Sequence, residues 1–138
     1  DLSFMIPDAD AGAGAVGRKG PYDGSAYSGI AFWARLGNTP GAVPGVRFNL
    51  KDKQTDPDGG ICSTATPNGP MACHDDFGKM FALTTQWKKI VLKFADLKQQ
   101  GFGRKADKLA IDALYAIQIQ FPKGAKFDMW LDDIHFIK

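Results

Sequence analysis

Apolar and polar residues alternate with a period of two in several separate stretches of the chain, the pattern of strands that bury one face. Ile30–Leu36 sets Ile30, Phe32, Ala34 and Leu36 on one side and Ala31, Trp33 and Arg35 on the other. Val46–Lys51 repeats the pattern, with Val46, Phe48 and Leu50 inward and Arg47, Asn49 and Lys51 outward. Trp87–Phe94 puts Ile90, Leu92 and Phe94 on one face. Tyr115–Phe121 turns Tyr115, Ile117, Ile119 and Phe121 inward and Gln118 and Gln120 outward. Leu2–Ile6 and Met80–Thr85 are shorter runs that read as strands. Asp107–Leu114 reads as one or two helical turns, because Leu109 and Ala113 share a helical face.

The last stretch, Lys126–Lys138, carries the longest pattern. Phe127, Met129 and Leu131 alternate with Asp128 and Trp130. The parity then slips, and Ile134 and Phe136 follow on the opposite phase. One extra residue at Asp132–Asp133, a β-bulge, would return both to the core side. A strand this long and apolar requires partner strands and a layer to pack on. Six or seven short strands divided by Gly/Pro turns predict an all-β fold, an antiparallel β-sandwich or jelly roll.

Composition strengthens this picture. Sixteen Gly and eight Pro supply the turns such a fold needs. At 138 residues the chain is expected to form a single domain over 1–138 with a stable core. A net charge of +2, with no Lys/Arg run longer than two, argues against nucleic acid as a partner. No apolar run approaches ~18 residues, so no membrane span is expected. The chain opens at Asp1 in strand-like sequence without a Met, which suggests a processed or partial chain whose signal peptide or first strand lies ahead of it.

Two loops invite chemistry. The Gly-rich stretch 8–20 contains GAGAVG, but it follows a Pro and no helix pattern succeeds it, so a flexible loop is expected rather than a phosphate site. Asp52–Gly78 is a long polar insertion holding both cysteines, Cys62 and Cys73, with ten residues between them. The pair reads as a local disulfide, worth roughly 2–3 kcal/mol in the chain-entropy model, and points to an oxidising compartment. The rival reading, a metal held by Cys62, Cys73 and His74, lacks a CxxC spacing or a second nearby His.

Catalytic signals are weak. His74 and His135 are far apart in sequence, with His135 expected to point outward from the last strand, and no GxSxG is present. The acidic pairs Asp56/Asp58, Asp75/Asp76 and Asp132/Asp133 are explained by turn capping or hard-cation ligation. The expected protein is therefore not an enzyme. Binding has better support. Arg47, Asn49, Gln118 and Gln120 offer the planar donors and acceptors that sugar hydroxyls require. Trp33, Trp130, Tyr22 and Tyr27 offer flat apolar faces for pyranose rings.

The segments SAYSGIAFWAR, VRFNLKDKQTDPDGGIC…CHDDFG, TTQWKKIVLKFADLKQQGFG and FDMWLDDIHF resemble carbohydrate-binding modules of the galactose-binding-like jelly-roll superfamily, family 11-like in character. The resemblance runs from about Tyr27 to the C-terminus, and its most specific motif is Trp130–Ile134. It implies a secreted or cell-surface (extracellular or periplasmic) sandwich that binds poly- or oligosaccharide without cleaving it. The groove would be lined by Arg47, Asn49, Gln118 and Gln120, with an aromatic platform from Trp33 or Trp130. It also implies a structural calcium ion with Asp132 among its ligands. The alternative is an extracellular structural or adhesion domain that binds a protein partner through the 52–78 disulfide loop.

Overall fold

The structure, a computed structural model, describes residues 2–6 and 18–138. Among the described residues there are nine strands: β1 (Leu2–Ser3), β2 (Met5–Ile6), β3 (Arg18–Lys19), β4 (Gly29–Leu36), β5 (Gly45–Asp52), β6 (Phe77–Ala82), β7 (Lys88–Lys93), β8 (Leu114–Gln120) and β9 (Met129–Ile137). Two sheets carry the fold. One runs β1-β8-β5-β6 and the other β7-β4-β9, and every pairing is antiparallel. A two-stranded ribbon, β2-β3, sits beside them. The protein is an all-β sandwich, as the alternation predicts. From β6 onward each successive long strand joins the opposite sheet, the interleaving expected of a jelly roll.

The inward residues meet between the sheets. Ile30, Phe32 and Ala34 of β4 and Ile90 and Leu92 of β7 face Val46, Phe48 and Leu50 of β5 and Ile117 of β8, all buried. The Phe32 and Phe48 rings lie 4.7 Å apart across the two layers. This core removes large apolar surfaces from water, the main favourable term in folding. A second aromatic group closes one end. Phe136 of β9 stacks on Tyr22 and on Tyr27, each with centroids 4.8 Å away, and Phe4 stacks on Tyr22 at 5.4 Å. The two tyrosines anticipated as sugar platforms are thus spent on packing the N-terminal segment against the last strand.

β9 contains the bulge that its parity requires. Ala31 pairs with His135 and Trp33 with Asp132, so three residue steps on β9 oppose two on β4. Asp133 takes a left-handed φ of 51° there. The shift returns Phe136 to the core side with Met129 and Leu131. It does not bury Ile134, which stays 42% exposed, and Phe127 lies before the strand and is 63% exposed. Ile134 is one of the bulge residues with no partner on β4, on the edge strand of its sheet, and Phe127 precedes the strand.

Three other elements differ. β6 starts at Phe77, three residues earlier than the apolar run suggests, because Gly78 pairs with Asn49 and continues the ladder. Residues 107–113 form turns and bends, not a helix. Their backbone groups are taken by distant partners: Ala110 N–H donates to Asp52 Oδ2 at 2.7 Å, and Lys53 N–H donates to the Ala113 carbonyl at 3.0 Å. Short 3₁₀ turns occur instead at Pro57–Gly59 and Phe94–Asp96. Most of the Gly-rich loop anticipated over 8–20 lies outside the described residues.

Candidate functional site

The sandwich has two outer faces, and the anticipated site residues divide between them. On the four-stranded sheet, Arg47 pairs with Gln120 and Asn49 with Gln118 in register across β5 and β8. Residues paired in this way share a face, so all four project from one surface. Asn49 Nδ2 donates to Gln118 Oε1 at 2.8 Å and to Gln120 Oε1 at 3.2 Å. One asparagine therefore orients both glutamines.

Gly78 on β6 makes this arrangement possible. A Cβ at that position would come within 1.8 Å of Asn49 Oδ1 and 2.6 Å of the Phe48 carbonyl. The asparagine lies flat against β6 only because no side chain stands there. It is buried as a result, and its Oδ1 has no hydrogen-bond partner. Asn49 forms the floor of the site, while Gln118 and Gln120 are progressively more open.

One wall comes from the segment after β7. Lys98 bridges Gly78 through paired backbone hydrogen bonds of 3.0 and 3.1 Å, extending the sheet past β6. Arg47 reaches across and donates from Nη2 to the Lys98 carbonyl. Its Nε is buried without a partner. Burial lowers the Arg47 pKa and the Asp75 and Asp76 charges oppose that shift. The guanidinium stays charged, since arginine does not lose its proton in proteins. Asp75 then fixes the loop that follows: its carboxylate accepts from the N–H groups of Gln100, Gly101 and Gly103 at 2.7, 2.8 and 3.1 Å. That loop presents Gln100. Arg47, Met80, Gln100, Gln120, Phe121 and Pro122 enclose a shallow cavity of about 170 Å³. Phe127 stacks on Phe121 at 4.4 Å, so the nearest aromatic pair to this cavity is phenylalanine. Gln100 did not stand out in the sequence, since it sits in a turn; Phe121 and Phe127 each read as a core-facing strand residue, and the Pro turn between them hides that their rings meet.

Trp33 and Trp130 are elsewhere. Trp33 alternates with the core residues Phe32 and Ala34 on β4, and Trp130 pairs with Arg35 from β9. Both lie on the outer face of the three-stranded sheet, with the whole core between them and Arg47. The single groove combining Arg47, Asn49, Gln118 and Gln120 with a tryptophan platform is therefore not formed. Alternation shows that a residue points outward, and not from which sheet.

The disulfide between Cys62 and Cys73 is present, with Cα atoms 5.0 Å apart. Both thiols are consumed, which leaves the Cys62/Cys73/His74 metal reading without its sulfur ligands. Past the bond, His74 has a left-handed φ of 73° and its N–H donates to the Thr55 carbonyl at 2.9 Å. Asp52, Asp56 and Asp58 of this loop make structural contacts. Asp52 Oδ1 accepts from the N–H groups of Gln54 and Thr55 at 2.9 and 3.1 Å. Asp56 accepts from Lys19 Nζ at 2.6 and 2.8 Å, and Asp58 joins the same ammonium at 3.0 Å. Desolvation works against the Lys19 charge, but the hydrogen bonds it donates to Asp56 and Asp58, with their charges, outweigh it and raise its pKa.

Asp132 stands exposed at the bulge, where its Oδ1 accepts from the Asp133 N–H at 2.8 Å. Calcium takes about six to eight oxygen ligands. Among the described residues no group of three or more His, Cys, Asp or Glu side chains converges as a metal site. His135 lies opposite Ala31 on the outer face, as expected, with Nδ1 2.8 Å from the Asp133 carbonyl oxygen. Among the described residues no helix is long and apolar enough to cross a membrane.

Comparison with protein-family models, with curated proteins and with solved structures returned no match to this chain.

Proposed function

We propose that this domain binds carbohydrate without cleaving it, in a secreted or cell-surface setting, at the Arg47–Gln120 face of the four-stranded sheet. The observation that carries this reading is the amide ladder itself. Asn49 holds Gln118 and Gln120 by their oxygens, which leaves the NH₂ groups of both glutamines as oriented donors. Arg47 and Gln100 add donors at the cavity, and Met80, Phe121 and Pro122 add apolar surface. Sugars present hydroxyl oxygens around an apolar ring, and this mixture suits both parts. Preorganised donors lower the ordering cost of binding. Among the described residues the cavity lining is Arg, Gln, Met, Phe and Pro, a set that favours binding over the paired-acid chemistry of glycoside hydrolysis. The disulfide supports the compartment.

Affinity electrophoresis through soluble polysaccharides, preceded by a glycan array, tests this. Gln120→Ala is the cleanest variant because the side chain is exposed and its one hydrogen bond comes from Asn49, which still donates to Gln118. It should weaken binding roughly tenfold, the scale of one hydrogen bond lost in a shielded site. Arg47→Ala/Gln118→Ala should abolish retardation. Equal retardation of wild type and variants, or no glycan bound by the wild type, would overturn the reading. The second result would turn attention to the 52–78 loop, which is pinned by its disulfide and exposes residues 64–68, as a surface for a protein partner.

A further inference from the structure

All three tryptophans of the chain lie on the outer face of the three-stranded sheet, Trp33 39% exposed, Trp87 44% and Trp130 55%. Two rows of side chains cross that face. In the first, Arg35 of β4 sits between Trp87, just before β7, and Trp130 of β9. Its guanidinium carbon is 5.2 Å from the Trp87 ring centroid and 5.5 Å from that of Trp130. In the second, Trp33 sits between Lys89 of β7 and Asp132 of β9.

Arg35 is the telling residue. Among the described residues its guanidinium makes no hydrogen bond and no ion pair, and its Nε is buried without an acceptor. Two tryptophan faces attract a cation, but they accept none of its five N–H bonds. A lysine at this position could turn its charge to water. The planar arginine fork has only its Nε buried, so its Nη groups stay open between the rings, in a geometry that matches a carboxylate. The charge along β7 has the same sign, while Asp132 and Asp133 stand on β9 at the bulge. Lys89 and Lys93 line β7 without an ion pair among the described residues, and Asp132 is the one carboxylate in the two rows.

We propose that this face is a second binding surface, for an acidic polysaccharide built of uronate pyranoses. The sugar rings lie on the tryptophans, and a ring carboxylate takes the open donors of Arg35, with Lys89 beside it. Trp87 and Trp130 flank the central strand, so they are two strand spacings apart, roughly 10 Å, a span suited to successive rings of an extended chain. The face is open and cannot enclose a small sugar, so it favours a long polymer that contacts several rings at once. A neutral polymer offers the fork single hydroxyl oxygens but no charge, so it forgoes the charge-assisted paired hydrogen bonds a carboxylate makes. The inference uses none of the residues of the Arg47–Gln120 cavity and does not depend on that cavity binding anything.

Because every tryptophan is on this face, intrinsic fluorescence reports it selectively. Titration with polygalacturonate should give a saturable change in tryptophan emission, and the apparent Kd should rise with NaCl as screening weakens the charge contacts. Hydroxyethylcellulose, an uncharged glucan, should give no comparable change. Arg35→Gln should weaken the polygalacturonate response roughly ten- to hundredfold, while Gln120→Ala should leave it intact. Should Arg35→Gln melt early, Lys89→Gln, exposed on the same face, should still raise Kd several-fold and flatten its salt dependence. No emission change with polygalacturonate, an equal change with the neutral glucan, or wild-type binding by folded charge variants would overturn the proposal.

Discussion

Both carboxylate oxygens of Asp76 are buried and lack a hydrogen-bond partner. Its neighbour Asp75 is also buried, but takes three backbone N–H groups from the 100–103 loop. The Thr55 hydroxyl near Asp76 donates to Asp52 Oδ1 at 3.2 Å. Desolvation therefore dominates at Asp76. It raises the pKa from 3.8 to about 6, with Thr55 and Lys51 acting against the shift and Asp56 and Asp52 adding to it. A raised acid pKa means that the folded state binds the proton more tightly. The resulting stability is complete below about pH 3.8, shrinks as pH rises and is lost above about pH 6. The span corresponds to about 3 kcal/mol. Urea unfolding at pH 4 and pH 7.5 should show the wild type losing that amount relative to Asp76→Asn, which cannot ionise. The opposite result, a variant less stable than the wild type at pH 7.5, would mean that the charged form is held by its neighbours. The sequence displays Asp75 and Asp76 as an equivalent pair. Their difference arises from a loop 25 residues downstream, which no local pattern encodes.

Strands and their phase were legible because a buried face imposes a period of two on any sequence that pairs there. The β9 bulge was legible for the same reason, as a slip in that period. Segments held by side chains from elsewhere were not. Residues 107–113 carry helical spacing, yet Asp52 takes the Ala110 N–H and Lys53 takes the Ala113 carbonyl, so tertiary partners replace the helical ones. Asp52 belongs to the base of the 52–78 loop, which the disulfide staples at its middle. Closing the loop between Cys62 and Cys73, a separation of 11 residues, restricts the unfolded chain and contributes roughly 2–3 kcal/mol. Cys62→Ser/Cys73→Ser should lower the urea midpoint accordingly. The loop base should persist in that variant, since Asp52 and the His74 N–H bond to Thr55 remain. An unchanged midpoint would show that these contacts hold the loop in the unfolded ensemble as well.

At the scale of the molecule, the two outer faces are the feature that one-dimensional pattern hides. Arg47, Asn49, Gln118 and Gln120 read correctly as one outward group because β5 and β8 pair directly. Trp33 and Trp130 also read correctly as outward, but they belong to β4 and β9, on the far sheet. Assigning them to one groove would require knowing which strands share a sheet, and that follows from chain crossings between layers. The layers themselves are about 10 Å apart before side chains are counted, and the intervening core is closely packed through Phe32 and Phe48. Sites separated in this way act independently unless a packed element has two arrangements. A double-mutant cycle across the sandwich follows. Gln120→Ala and Arg35→Gln should combine with a coupling energy below about 0.5 kcal/mol, both in thermal stability and in retardation by a polysaccharide that carries neutral and uronate residues. Retardation losses that add on such a mixed polymer would fit two faces that each grip it separately. A coupling well above that limit would mean that one ligand chain bridges the rim between the sheets, or that the core transmits strain from one face to the other. Methyl relaxation of the core valine, leucine and isoleucine side chains packed with Phe32 and Phe48 would then separate those two cases, because only transmitted strain should perturb them.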